Sequence, residues 1–171
     1  CRDAEQTRAF YEDILGLPLA HVLREEKVPS TGEPNPFIHL FFMLHDGSSV
    51  AFFDLGDNVA ALPSPNTPAW VNHLALKVDS LASLERAKAK LERAGVEVLG
   101  ITDHSIFKSI YFHDPSGHRL ELAADTATPE QMKQLDSVKW EMLEEWSRTK
   151  RAPKQAAWMH EREFAGTTAT G

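Results

Sequence analysis

Between Thr102 and Glu121 the chain sets a histidine, a tyrosine and a glutamate around one tight turn: His104, Tyr111, then Asp114-Pro115-Ser116-Gly117 and Glu121. His73 stands upstream in a second stretch of alternating character, Val71 to Val78. An imidazole changes charge near neutral pH and can act as an acid, a base or a metal ligand. A tyrosine hydroxyl can hydrogen-bond to a developing oxyanion. Side chains alternate across a strand. Leu74, Leu76, Ile110, Phe112, Leu120 and Leu122 would therefore face a helix layer, while His73, Tyr111, His113 and Glu121 share the opposite face. Such a polar face is either the lining of a cavity or the solvated side of an antiparallel sheet. Alternation alone favours the solvated side.

The elements that must position these residues occur twice. Asp3 and Gln6 form a capping pair ahead of Phe10, Ile14 and Leu17, with Gly16 as a left-handed stop. Ser80 caps a second stripe of Leu81, Leu84, Leu91 and Ala94, stopped by Gly95. The helices are expected over Asp3–Leu15 and Ser80–Ala94. Three strands should follow each one: Leu19–Glu25, Phe37–Leu44 and Ser49–Leu55, then Val96–Thr102, Ser109–His113 and Arg119–Ala123. The final strands align through their turns, so that Gly47 matches Gly117 and Ala51 matches Glu121. A proline-rich linker, Pro63 to Pro68, separates the halves. The expected fold class is α+β, two βαβββ modules (about 1–62 and 69–125) curling into a mixed-sheet cup. A helical extension over 126–171 opens at Thr128-Pro129 and runs to about Ser147, with Met132, Leu135, Met142, Leu143 and Trp146 on its apolar side. Trp140, Trp146 and Trp158 read as packing anchors, and Gly166–Gly171 as a disordered end.

The 171 residues are 42% hydrophobic and 25% charged, ordinary values for a chain that builds its core without disulfides. A single cysteine, Cys1, allows no intrachain bridge and suggests a reducing compartment, so a cytoplasmic location is expected. No apolar run is long enough to span a bilayer. The net charge of -7, with basic residues scattered, argues against nucleic acid as a partner.

The stretch from His104 to Glu121 resembles the signature of type I extradiol dioxygenases, members of the vicinal oxygen chelate superfamily. His104, Ile110-Tyr111, Asp114-Pro115-x-Gly117 and Glu121 match it element by element. The resemblance covers roughly residues 1–125. It implies that His73 and Glu121 are metal ligands, that His104 is the acid–base histidine and that Tyr111 contacts a substrate oxygen. It further implies Fe(II), alternatively Mn(II), as cofactor. A catechol-like substrate and dioxygen would be the reactants, in the manner of aromatic hydrocarbon catabolism. Two histidines and a carboxylate on one face of a metal leave positions open for diol and dioxygen. The third ligand, a histidine on the opening strand of the first module, is expected about four residues ahead of Cys1. A homo-oligomer, such as a dimer, is expected.

Other residues carry weaker signals. His39, Phe41 and Phe53 are candidates for a substrate pocket, with Met43 on the same face, although core packing is the usual role of such aromatics. His45, His113 and His118 lie at turns and read as solvated; His21 and His160 suggest no role. The same superfamily holds glyoxalase-like lyases and metal-free drug-binding resistance proteins. A lyase site of that kind resembles a four-ligand arrangement with Glu or Gln where this chain has Ala51. A binding protein would have no need of His73 opposite Glu121.

Overall fold

The computed structural model describes residues 1–27, 34–59, 69 and 72–149, the side chains of 24, 139, 140, 142–147 and 149 excepted. The linker at 63–68, Val71, Trp158 and the end of the chain lie outside the described residues, as do the side chains of Met142, Leu143, Trp140 and Trp146. Helix α1 is Ala4–Arg8 and continues as π-helix over Ala9–Ile14. It is followed by β1 (Leu19–Lys27), β2 (Pro34–Met43), β3 (Ser49–Asp54) and β4 (Leu74–Lys77). Then come α2 (Leu81–Arg93), β5 (Leu99–Asp103), β6 (Phe107–His113), β7 (Arg119–Asp125) and α3 (Pro129–Thr149). The order is the α+β plan of the repeated module. One sheet is ordered β1-β2-β3, the other β4-β7-β6-β5.

The chain divides into two compact units: Cys1–Thr102 with Ser109–Ala124, and Asp103–Lys108 with Asp125–Gly171. Within the first unit the internal repeat holds down to single hydrogen bonds. The Asp3 carboxylate accepts the Gln6 amide at 2.8 Å, and the Ser80 hydroxyl accepts the Ser83 amide at 3.2 Å. Cys1 donates through its amino group to the Phe53 carbonyl, and Val78 donates through its amide to the Ala123 carbonyl, the matching position of the second module. Gly16 and Gly95 end the two helical segments at φ of +81° and +78°, a conformation that costs glycine little because it has no Cβ.

Strand alternation then builds one core from both halves. Leu40, Phe42 and Phe52 of the first sheet meet Ile110, Phe112, Leu120 and Leu122 of the second, closed by Phe10, Tyr11, Leu84 and Leu91 of the helices. The first helix departs from the regular form that its spacing predicts. Leu15 donates to the carbonyl of Phe10, five residues back, and this wider turn carries both Phe10 and Tyr11 inward. Tyr11 is fully buried, although it stands off the expected stripe. Leu74, expected in the helix layer, is 41% exposed, because β4 begins at that residue and lies at the edge of its sheet.

In the second unit α3 opens on a reciprocal cap: the Gln131 amide donates to Thr128 Oγ1 at 3.2 Å, and the Thr128 amide to Gln131 Oε1 at 2.8 Å. Met132, expected on its apolar side, is exposed. None of the helices among the described residues is long and apolar enough to cross a membrane.

Asp114 ties the first helix to the turn before β7. Its Oδ2 accepts the Tyr11 hydroxyl at 3.1 Å, and its Oδ1 accepts the amides of Ser116 and His118 at 2.9 and 2.8 Å. Because the carboxylate is buried, its removal leaves three donors without their acceptor, the Tyr11 hydroxyl and the Ser116 amide among them being buried. Asp114→Ala is expected to lower unfolding free energy by about 3 kcal/mol and Tyr11→Phe by about 1 kcal/mol, measured by urea denaturation. A larger loss from Tyr11→Phe than from Asp114→Ala would contradict this arrangement.

Candidate metal centre

Glu121 sits in β7 between two core leucines, with its own side chain on the opposite face. That face is not solvated at this point, since Glu121 is only 4% exposed. A carboxylate withdrawn from water needs partners for its oxygens. Oε1 accepts the hydroxyl of Ser109, and the Tyr111 hydroxyl at 3.2 Å; both donors come from β6, the neighbouring strand. Oε2 lies 2.9 Å from Nε2 of His73.

His73 reaches this position from the residue just ahead of β4. The parallel pairing of β4 with β7 sets Ala75 opposite Glu121 and Leu74 opposite Leu120. The imidazole stands edge-on to the Tyr111 ring, centroids 5.9 Å apart. The Arg119 guanidinium lies over the other flank of the phenol, 4.4 Å from its centroid. Burial and the neighbouring Glu121 charge push the Tyr111 phenol above its ordinary pKa, while hydrogen bonding from Ser109 and the Arg119 charge act against that rise.

The structure thus brings together His73, Tyr111 and Glu121, and adds Ser109 and Arg119. Neither of these two is singled out by residue type. Period-two alternation is the signal that reveals them, since Ser109 stands two residues before Tyr111 and Arg119 two before Glu121. His104 belongs to the second unit. There its amide donates to the Phe107 carbonyl at 2.9 Å and its ring stacks on the Phe107 ring at 4.7 Å. His39, Phe41 and Phe53 form an aromatic cluster on the face of the first sheet turned away from the core. His39 pairs across the strands with Phe53, stacks on it at 3.8 Å, and lies 4.0 Å from Phe41. Burial lowers the pKa of His39 and so favours its neutral, stackable form. Within the first unit, a cavity of about 390 Å³ reaches His73, Arg119, His113 and Asn72, with Tyr11 and Phe52 at its apolar end. Its lining includes His73 but not Glu121 or Tyr111.

An imidazole nitrogen and a carboxylate oxygen are donor types that divalent ions accept, and here the two are in direct hydrogen-bond contact. Two ligands in adjacent positions, each about 2.1 Å from a metal, lie about 3 Å apart, and the His73 and Glu121 atoms are 2.9 Å apart. Among the described residues no group of three His, Cys, Asp or Glu could hold a metal, so these two form a pair and not a triad.

Residues 1–122 match the Glyoxalase/Bleomycin resistance protein/Dioxygenase superfamily, and the chain belongs to it. Members of this superfamily commonly bind divalent metals such as Mn(II) or Fe(II). The chain is 32% identical over 125 residues to a biphenyl-2,3-diol 1,2-dioxygenase of Rhodococcus globerulus, covering 71% of this chain. It spans 58% of the length of that relative. In fold it is similar to a glyoxylase/bleomycin resistance protein/dioxygenase domain from Frankia sp. EAN1pec. The TM-score there is 0.59 at 18% identity, over 74% of this chain and 91% of that one. It is also similar to the fosfomycin resistance protein FosX of Listeria monocytogenes, solved with Mn(II) and sulfate. In that case the TM-score is 0.51 at 21% identity, over 75% of this chain and 86% of that one.

Tyr11 and Tyr111 are the two tyrosines of the chain, and burial raises the pKa of both. A phenol that resists ionisation in the folded state adds stability that is fully present below its unfolded pKa, about 10, and is lost as pH rises beyond it. A spectrophotometric titration of the metal-free protein is expected to show Tyr11 withheld from ionisation until the protein unfolds at alkaline pH. Ionisation of both tyrosines with the fold intact would contradict the burial of Tyr11.

Proposed function

We propose that this protein is a metal-dependent extradiol-type dioxygenase that cleaves a catecholic ring with dioxygen. The observation that carries the reading is the contact of the buried Glu121 carboxylate with His73, with the Tyr111 hydroxyl on the same carboxylate. The chain's place in the superfamily and its likeness to a biphenyl-2,3-diol dioxygenase support it. His73 and Glu121 would hold Fe(II), with Mn(II) as the alternative. The third ligand is proposed to be a histidine on a strand ahead of Cys1, the counterpart of His73. The chemistry iron(II) supplies when bound is Lewis-acid activation of the diol and a position for dioxygen beside it.

The protein side chains then take defined parts. Tyr111, a phenol protonated at neutral pH by its ordinary pKa of about 10, is a hydrogen-bond donor to a substrate oxygen as negative charge develops there. His104 is the acid–base residue, which would take a proton from the diol and later return one to the product. His39, Phe41 and Phe53 offer aromatic faces against which a substrate ring can stack. Ala51 separates this reading from a lyase of the glyoxalase type. It stands in β3 where Glu121 stands in β7, paired with Phe41, and its methyl group cannot ligate. No second carboxylate then takes up the positions that diol and dioxygen require.

The test is oxygen uptake by the full-length, iron-loaded protein given catechol or biphenyl-2,3-diol, alongside metal analysis of three variants. His73→Ala and Glu121→Ala are expected to lose most of the bound metal while remaining folded. His104→Ala is expected to keep its metal and lose about 10²–10⁴-fold in turnover. Full metal content in both ligand variants would overturn the assignment of the pair. Normal oxygen uptake by metallated His104→Ala would remove its acid–base role.

A further inference from the structure

We infer that the C-terminal extension is a positioning element for His104, acting through the loop of residues 103–108. The inference rests on the reading of His104 as the acid–base residue and goes beyond it by giving the extension a task. β5 ends at Asp103, β6 begins at Phe107, and His104 stands in the short connection between them. Three contacts hold that connection from within. The His104 amide donates to the Phe107 carbonyl at 2.9 Å, and the Asp103 carboxylate accepts the Ser105 amide at 2.9 Å. Lys108 Nζ lies 3.6 Å from Asp103 Oδ2. Ser105 takes the left-handed conformation, with φ of +70°, which a residue other than glycine adopts at a cost. Such a conformation persists where its surroundings over-determine it.

The surroundings here include the first residues of the extension. The amides of Thr126 and Ala127 both donate to the Ile106 carbonyl, each at 2.9 Å. A carbonyl oxygen has two lone pairs, so one segment supplies a donor for each. That carbonyl belongs to the planar peptide group joining Ile106 to Phe107. Fixing its direction fixes the plane from which Phe107 departs, and the His104 ring stacks on the Phe107 ring with centroids 4.7 Å apart. The donors are held in turn, because the next residue, Thr128, makes the reciprocal cap with Gln131 that opens α3. A chain of contacts thus runs from α3 through residues 126 and 127 and Ile106 to Phe107 and the imidazole. The compact units divide in the same way. Asp103–Lys108 groups with Asp125–Gly171, although the residues up to Thr102 and from Ser109 belong to the other unit. Proton transfer is sensitive to such anchoring, since a misplacement of about 1 Å can cost about 10²-fold in rate.

The experiment uses full-length Ala127→Pro, which removes one of the two amide donors, and Phe107→Leu, which removes the stacking ring. Hydrogen exchange of the metal-free protein, followed by NMR, is expected to be faster at the His104 amide in Ala127→Pro, with the amides of β7 unchanged. In the iron-loaded protein given catechol, both variants are expected to lose about 10- to 100-fold in kcat, with metal content and KM near wild type. Added to His104→Ala, either substitution should change turnover by less than roughly 3-fold, because groups that act as a unit are not additive. Phe107→Leu carries the test alone where the proline disturbs α3, whose helicity is read by circular dichroism. A full additional loss in the His104→Ala background, with lowered melting temperature and metal content, would overturn the inference in favour of general structural support. Wild-type exchange and wild-type kcat in folded Ala127→Pro would also overturn it, and leave the role of His104 standing. Full turnover by His104→Ala, with exchange at residue 104 still raised in Ala127→Pro, would overturn the acid–base reading and leave the anchoring of the loop.

Discussion

The burial of a single carboxylate organises this molecule. Glu121 is held out of water by its place in β7, and a buried carboxylate without partners is strongly disfavoured. Its partners come from separate elements: two hydroxyls from β6 and an imidazole from the residue ahead of β4. The parallel β4–β7 register and the β7–β6 neighbourhood are therefore conditions of the site as much as of the fold. A slip of one residue in either strand would turn the polar set into the leucine core and the leucines outward.

What keeps the register is the alternation of the opposite face. Leu120, Leu122, Ile110 and Phe112 pack with their counterparts Phe52, Leu40 and Phe42 from the first half, and with the inner sides of both helices. Asp114, joined to Tyr11, fixes the turn between β6 and β7, so the two strands that supply Tyr111 and Glu121 leave that turn in a set alignment. The duplicated module thus gives one half the polar side chains of the site. The other half carries His39 and Phe41 where Ser109 and Tyr111 stand, and Ala51 where Glu121 stands.

Much of this was legible in the sequence because it depends on period. Alternation in β6 and β7 placed Tyr111 and Glu121 on one face, and the caps at Asp3 and Ser80 marked the helices within a residue. Alternation alone did not show that this face is closed over Glu121, because burial on a sheet's second side depends on what the other elements cover. The π-helical turn that buries Tyr11 was hidden for a related reason. Its widened hydrogen bond answers to the core it packs against and not to local propensity. Ser109 carried no signal beyond parity with Tyr111, since a serine in a strand interior is chemically ordinary until its hydroxyl meets a buried carboxylate. His104 was singled out by the resemblance to the dioxygenase signature, and what the structure adds is its stacking on Phe107 within the second unit.

The central claim is that His73 Nε2 and Glu121 Oε2 are ligands of one divalent ion. Anomalous diffraction from crystals of the full-length protein soaked in Mn(II) tests it most directly. The account predicts one strong peak about 2.2 Å from each of those two atoms, with Ser109 and Tyr111 still on Oε1. A peak bound elsewhere, with the direct His73–Glu121 hydrogen bond intact, would contradict it.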